Sequence, residues 1–284
     1  MVSMAGKAIR KWWALFALPT FAAFIIGFVV PFIMGVYLSF CEFTTVTDGE
    51  FVGLKNYVKA LGDKEFLHAL GFSTAFTIVT TIVINVVAFF IAYMLTKAIK
   101  GSTIFRSVFF MPNLIGGIIL GYIWLLLLNG ILAHWSRALT YSATYGFWGL
   151  VILVCWQQIG YMMIIYIAGL QALPTDVMEA AAVDGASPRQ TLFRVTIPLM
   201  MPSITVCSFL TVTNGFKLFD QNLALTNGAP SRMSEMIALN IYNTFYSRTG
   251  YEGVGQAKAV VFFLIVAAVA LVQNRLTTSR EVEA

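Results

Sequence analysis

Apolar runs of membrane-crossing length decide what this chain can fold into. They lie at about residues 13–40, 71–95, 107–128, 146–170 and 201–225. Each reaches the ~20 residues that a helix needs to cross a hydrocarbon core of ~30 Å. A sixth, at residues 259–272, falls short of that length, and carrying it back to Gly253 requires Lys258 to snorkel toward the interface. With 59% hydrophobic and 11% charged residues, the chain fits one large soluble domain by length but not by composition. The expected fold class is all-α, a polytopic membrane protein of about six transmembrane helices. It forms one domain over residues 1–284, with a polar loop at about residues 174–198.

Several function classes drop out on residue grounds. Cys41, Cys155 and Cys207 lie in or beside apolar spans without paired or metal-ligand spacing, so they read as small core residues and no metal site is expected. His68 and His134 have no neighbouring carboxylate or serine in a catalytic pattern, and the chain reads as a non-enzyme. It carries no Gly-x-x-x-x-Gly-Lys-Ser/Thr phosphate loop, so any ATP hydrolysis belongs to another subunit. Two matching halves with broken helices, common in self-sufficient secondary transporters, are also missing. No basic patch interleaved with aromatics supports nucleic-acid binding, which leaves the net charge of +5 to topology.

Lys7, Arg10 and Lys11 precede Trp12 and Trp13 much as a signal peptide begins, but the apolar run that follows is too long for a cleavable one. It reads as an uncleaved first span, with kinks expected at Pro19 and Pro31. Six spans put both termini on one side. That side carries ten basic residues, among them Lys97, Lys100, Arg106, Arg189, Arg194, Arg275 and Arg280, against five acidic ones; the opposite loops carry seven of each. The positive-inside rule therefore places both termini and the 174–198 loop in the cytoplasm.

That loop is the most ordered polar stretch in the sequence. Asp176 with Glu179, and Ser187 with Gln190, have capping-box spacing, and Pro188 stands at a favoured first-turn position. Gly185 falls between the two helices so defined, where a left-handed helix end favours glycine. Helix, sharp turn and second helix closed by Pro198 is the expected form. An ordinary capped helical hairpin would satisfy the same spacings.

Glu179-Ala180-Ala181, then Asp184-Gly185-Ala186, then Pro198 resemble in register the loop of inner-membrane permease subunits of bacterial ATP-binding cassette importers. Leu192 stands where that family usually has phenylalanine, with Phe193 one place late, and Ile197 replaces the leucine before the proline. Both changes keep apolar character. Gly53-Leu54-Lys55-Asn56-Tyr57 is similar to the Gly-Leu-x-Asn-Tyr that follows the family's first helix. Phe105-Arg106, Met111-Pro112, Phe219-Asp220, Leu225-Thr226 with Gly228 and Pro230, and then Tyr242 and Phe245, are similar to its sugar-importing branch. The resemblance implies a coupling helix carrying Glu179, Ala180, Ala181, Asp184, Gly185 and Ala186, which docks into a cleft of an ATPase subunit. It also implies the partners: a second, related permease, two ATPase subunits that bind ATP and magnesium, an extracytoplasmic solute-binding protein and a sugar. No cofactor is expected in this chain, and the location implied is the bacterial cytoplasmic membrane.

Inside the fifth span, Lys217 and Asp220 need an explanation, because a lysine at mid-membrane costs about 2.5–3.5 kcal/mol on insertion scales. Asn214, Lys217 and Gln221 recur at three and four residues and are expected to share one helix face, with Lys217 about 24 Å from Met201. Amide and ammonium donors on one face suit a hydroxyl-rich solute; an intrahelical Lys217–Asp220 pair is the plainer alternative. Trp156, Gln157, Gln158 and Tyr161 form a second polar cluster. It is open to solute contact or to interhelical hydrogen bonds worth about 0.6–2 kcal/mol each. The candidate path residues are thus Asn214, Lys217, Asp220, Gln221, Gln157 and Tyr161, with Asn85 and Asn113 as further polar positions. Gly116, Gly117 and Gly121 are expected to let helices pack closely. The function expected is the permease subunit of an ATP-driven carbohydrate importer working by alternating access. An ion-coupled carrier or passive channel, with Lys217 and Asp220 as coupling pair, is the different class; a phosphorylated polyol or a polyamine is the alternative cargo.

Overall fold

A computed structural model describes residues 4–45, 47–97 and 101–279, so Lys100 and Arg280, counted above for topology, lie outside the described residues. α1 (Met4–Phe24) passes through a π-helical turn at Ile25–Val29 into α2 (Val30–Leu38). The kinks expected at Pro19 and Pro31 give way to one continuous span, Leu15–Leu38. Val30 N–H reaches back five residues to the Ile25 carbonyl, and this widened turn makes room for the ring of Pro31.

Close contacts divide the chain into two compact units, one running to Asp63 and including residues 241–261, the other holding residues 64–240 and those from 262 onward. In the first, β1 (Cys41–Glu42) pairs antiparallel with β2 (Glu50–Phe51), Cys41 opposite Phe51. Gly53, at φ +61, turns the chain into α3 (Lys55–Gly62). Asn56 is fully buried and donates to the carbonyls of Ser39 at 3.1 Å and Cys41 at 2.8 Å, while the Tyr57 hydroxyl lies 2.6 Å from Ser39 Oγ. The Gly-Leu-x-Asn-Tyr pattern therefore fastens α3 to the end of α2.

The second unit is built around α4 (Lys64–Thr96). α5 (Ser102–Phe110), α6 (Gly117–Ala133), α7 (Ala143–Gln171), α8 (Thr175–Val183), α9 (Pro188–Thr191), α10 (Ile197–Leu199), α11 (Met201–Phe216) and α12 (Asp220–Leu225) follow. α13 (Ile237–Ser247) and α14 (Glu252–Thr278) each run through both units. Ile84, Ala88 and Phe89 of α4 and Leu153, Met162 and Tyr166 of α7 lie at the centre of the buried apolar core. A Cβ at Gly160 of α7 would overlap the Phe109 carbonyl, so only glycine lets α5 pass this close.

Leu15–Leu38, Lys64–Thr96, Ala143–Gln171 and Glu252–Thr278 are each long and apolar enough to cross a membrane, and two bent pairs bring the number to six. The third and fifth spans, expected as single helices, are these pairs. Ser102–Leu114 meets Gly117–Ala133 at 100°, where Pro112 is followed by extended Ile115 and Gly116. Pro188–Leu199 meets Met201–Phe216 at 68°, where Met200 forms a turn at φ −85 and ψ −1 ahead of Pro202.

In the sixth span, Lys258 does not snorkel. It is fully buried in the first unit, with Nζ 2.7 Å from Asp63 Oδ2 and 2.8 Å from Thr244 Oγ1. A local carboxylate gives the ammonium a nearer partner than the interface does.

Candidate coupling loop and polar path

α8 begins after Pro174, whose side chain offers no acceptor, so the Asp176–Glu179 capping box expected from spacing does not form. Asp176 instead lies in the first turn, where a negative charge meets the positive helix end. The other end is a complete Schellman turn. Gly185 takes φ +74, its N–H bonds the Ala182 carbonyl at 3.1 Å, and Ala186 N–H bonds the Ala181 carbonyl at 3.0 Å. Ser187 then caps α9 in a reciprocal box. Gln190 N–H donates to Ser187 Oγ at 3.3 Å, and Ser187 N–H donates to Gln190 Oε1 at 2.8 Å.

Pro198 does not close the second helix. α9 continues through a π turn at Leu192–Thr196 into α10, with Ile197 N–H on the Leu192 carbonyl, the same accommodation found before Pro31. Glu179, Ala180, Asp184 and Gly185 are exposed, and Ala181 and Ala186 half-buried. Between the two acids Val183 is 87% exposed. Leu192 packs against the core, which turns the displaced Phe193 outward. Sequence reasoning missed Val183 and Phe193 as surface features. Their signal was a large apolar side chain standing inside a polar loop.

The polar residues of the fifth span are arranged differently from expectation. α11 ends at Phe216, with Lys217 closing its last turn, and Phe219, at φ −124 and ψ −61, breaks the chain before α12. Asn214, Lys217 and Gln221 therefore do not share a helix face. Ending the helix here leaves Lys217 and Asp220 exposed, and no ion pair joins them among the described residues. Asn214 and Tyr161 are half-buried, the Tyr161 ring 6.5 Å from that of Phe110.

The fold does bring Gln157 and Gln221 together. Gln221 Nε2 donates to Gln157 Oε1 at 2.8 Å, and Gln157 Nε2 donates to the Ile115 carbonyl at 3.2 Å. Gln158, next to Gln157 in sequence, is buried with Oε1 unpaired. A Cβ at Gly117 would stand 2.7 Å from Asp220 Cβ and one at Gly121 2.6 Å from Ala224 Cβ, whereas Gly116 has nothing near it. Two of the three glycines thus set the approach of α6 to α12.

Two further networks join residues of which sequence analysis had marked Asn85 alone, as a polar position. Tyr166 O–H donates to Asn85 Oδ1 at 2.6 Å and Asn85 Nδ2 to Thr211 Oγ1 at 2.9 Å, tying α7, α4 and α11. Fully buried Asn222 donates to the Ser234 carbonyl at 2.8 Å and accepts from Met236 N–H at 2.9 Å, fixing the loop after α12.

Up to six apolar spans, polar groups near helix breaks and a capped loop make this a polytopic membrane fold. Residues 100–280 match the family described as the binding-protein-dependent transport system inner membrane component, and the chain belongs to that family. It is 43% identical, over 96% of both chains, to the probable starch degradation products transport system permease protein AmyD of Thermoanaerobacterium thermosulfurigenes. Its fold is similar to that of a bacterial ABC transporter involved in the import of the acidic polysaccharide alginate, with a TM-score of 0.82, 17% identity and coverage of 98% of this chain and 99% of that one. A bacterial alginate ABC transporter in complex with an alginate pentasaccharide-bound periplasmic protein is also similar, with a TM-score of 0.80, 18% identity and coverage of 95% and 96%.

Proposed function

We propose that this chain is one permease of an ATP-driven carbohydrate importer in the bacterial cytoplasmic membrane, with both termini and the α8–α9 loop in the cytoplasm. The observation that carries the reading is the loop. Val183 stands exposed between Glu179 and Asp184, on a helix end fixed by the Schellman turn and the Ser187–Gln190 box. A rigid knob with an apolar tip and acidic flanks suits a cleft in an ATPase subunit. Closure of two such subunits, which bind the ATP and magnesium, moves the loop and turns the bundle from inward to outward opening. Similarity to a permease for starch degradation products supports a sugar or oligosaccharide cargo. Similarity to a transporter seen with a sugar-bound periplasmic protein supports an extracytoplasmic solute-binding partner.

Lys217 and Asp220, with Asn214, Gln221, Gln157 and Tyr161, are assigned to one wall of the path; a second, related permease supplies the other. The capped loop argues against an ion-coupled carrier, which needs no ATPase-docking surface. The test is reconstitution in liposomes with binding protein, second permease and ATPase. Labelled maltotriose should enter only with internal ATP and all four components, while glycerol 3-phosphate and spermidine should not. Flux through the lone chain would overturn the reading in favour of a carrier or channel.

A further inference from the structure

Between α8 and the ends of α4 and α7 lies a recess of about 460 Å³, and we propose that it is a second carbohydrate site, at which imported sugar restrains the loop. Six polar side chains line it: Tyr93 and Thr96 at the end of α4, Gln171 at the end of α7, Thr175 and Glu179 of α8, and Thr196. Leu173 and Met178 add an apolar floor.

Thr196 marks the recess as more than a crevice. It is 2% exposed and its Oγ1 has no hydrogen-bond partner. The π turn explains why. A helical threonine ordinarily returns its hydroxyl to the carbonyl four residues back, as Thr80 does to Phe76 and Thr205 to Met201, but here the helix is widened to the five-residue register, Ile197 N–H to the Leu192 carbonyl, and that bond is not made. A buried hydroxyl left unpaired is unfavourable until something fills it.

The donor set selects the ligand class. Five of the six groups are neutral hydroxyls or an amide, able both to donate and to accept, and Glu179 accepts only. An anion is opposed by Glu179. A cation would find one carboxylate but use acceptors alone, leaving the hydroxyl and amide donors of the lining without a partner. A neutral polyol meets every requirement, its hydroxyls on Glu179, Gln171 and Thr196 and its C–H surface on Leu173 and Met178. Bound there it ties α8 to the ends of α4 and α7, holding the segment that has to move with the ATPase. The cytoplasmic placement and the regulatory meaning rest on the importer reading; the site chemistry does not.

Labelled maltose is the probe, in equilibrium dialysis against the full chain in nanodiscs. Saturable binding is expected, weakened at least tenfold by Thr196→Val and restored by Thr196→Ser. In proteoliposomes of the whole importer, maltose loaded on the ATPase side should slow initial uptake at least threefold. Thr196→Val should abolish that slowing and leave uptake into unloaded vesicles unchanged. No saturable binding, binding indifferent to Thr196→Val, or uptake indifferent to loaded maltose would each overturn the proposal. The importer reading fails separately. Thr196-dependent binding without ATP-driven uptake removes that reading and keeps the site, whereas uptake without such binding removes the site alone.

Discussion

Lys258 Nζ lies 2.7 Å from Asp63 Oδ2 with no surface of its own exposed, joining the first turns of α14 to the end of α3. Arg248 stands 3.7 Å from the same carboxylate oxygen. Breaking a buried pair from one side strands a charge, which costs about 3–5 kcal/mol. Lys258→Met leaves Asp63 with Arg248 and should fall at the low end of that range. Asp63→Asn takes a carboxylate 2.7 Å away from a fully buried ammonium and should fall at the high end. Thermal unfolding in detergent checks the order, and a reversed ranking would show that Arg248 contributes little.

The loop separates charge from shape. Glu179→Lys and Asp184→Lys keep the Schellman turn and the Ser187 box, so yield should hold while solute-stimulated ATP hydrolysis falls at least tenfold. Gly185→Val puts a β-branched residue at φ +74 and should lower both. Ser187→Ala removes one cap, at a cost of about 1 kcal/mol, and should soften coupling without abolishing it. Wild-type coupling in both charge reversals would leave the loop a purely structural hairpin.

Gln157 and Gln221 test whether the polar cluster serves packing or solute. Gln221→Leu strands Gln157 Oε1, and Gln157→Leu strands Gln221 Nε2 together with the Ile115 carbonyl, at a cost of about 1–3 kcal/mol for each unpaired group. The double change to leucine should recover most of that stability. If the pair also lines the path, uptake affinity stays impaired in the stable double variant. Affinity recovering along with stability would assign the pair to packing alone.

Asp48 gives a pH dependence outside the membrane. Hydrogen bonds from the Thr44 hydroxyl and the Thr45 amide hold its carboxyl at about 2, below the ordinary 3.8. A depressed folded value means that the turn is fully stabilised above the ordinary value and loses this support as pH falls through about 2. Exchange protection of the Thr45 amide should be constant from pH 7 to 5, decline below 4 and be lost near 2. Protection that stays flat to pH 2 would exclude Asp48 as the anchor.

The membrane-spanning helical character, the Gly185 turn and the Ser187 cap were legible in the residues alone. Each follows from local rules: hydrocarbon leaves the backbone no partner but its own, and a left-handed turn or an N-cap is a property of a few neighbouring residues. Where helices break and which polar groups meet depended on packing across the fold. Lys217 looked like one residue of a helical stripe because periodicity assumes a continuous helix; Phe219 ends that continuity, and Gln221 finds Gln157 across sixty-four positions of chain instead. Lys258 looked like a snorkelling cation because its partner, Asp63, is 195 residues away. The exposure of Val183, the turning out of Phe193 and the unpaired hydroxyl of Thr196 were equally hidden, since each depends on what the rest of the fold leaves room for and not on the residues beside it.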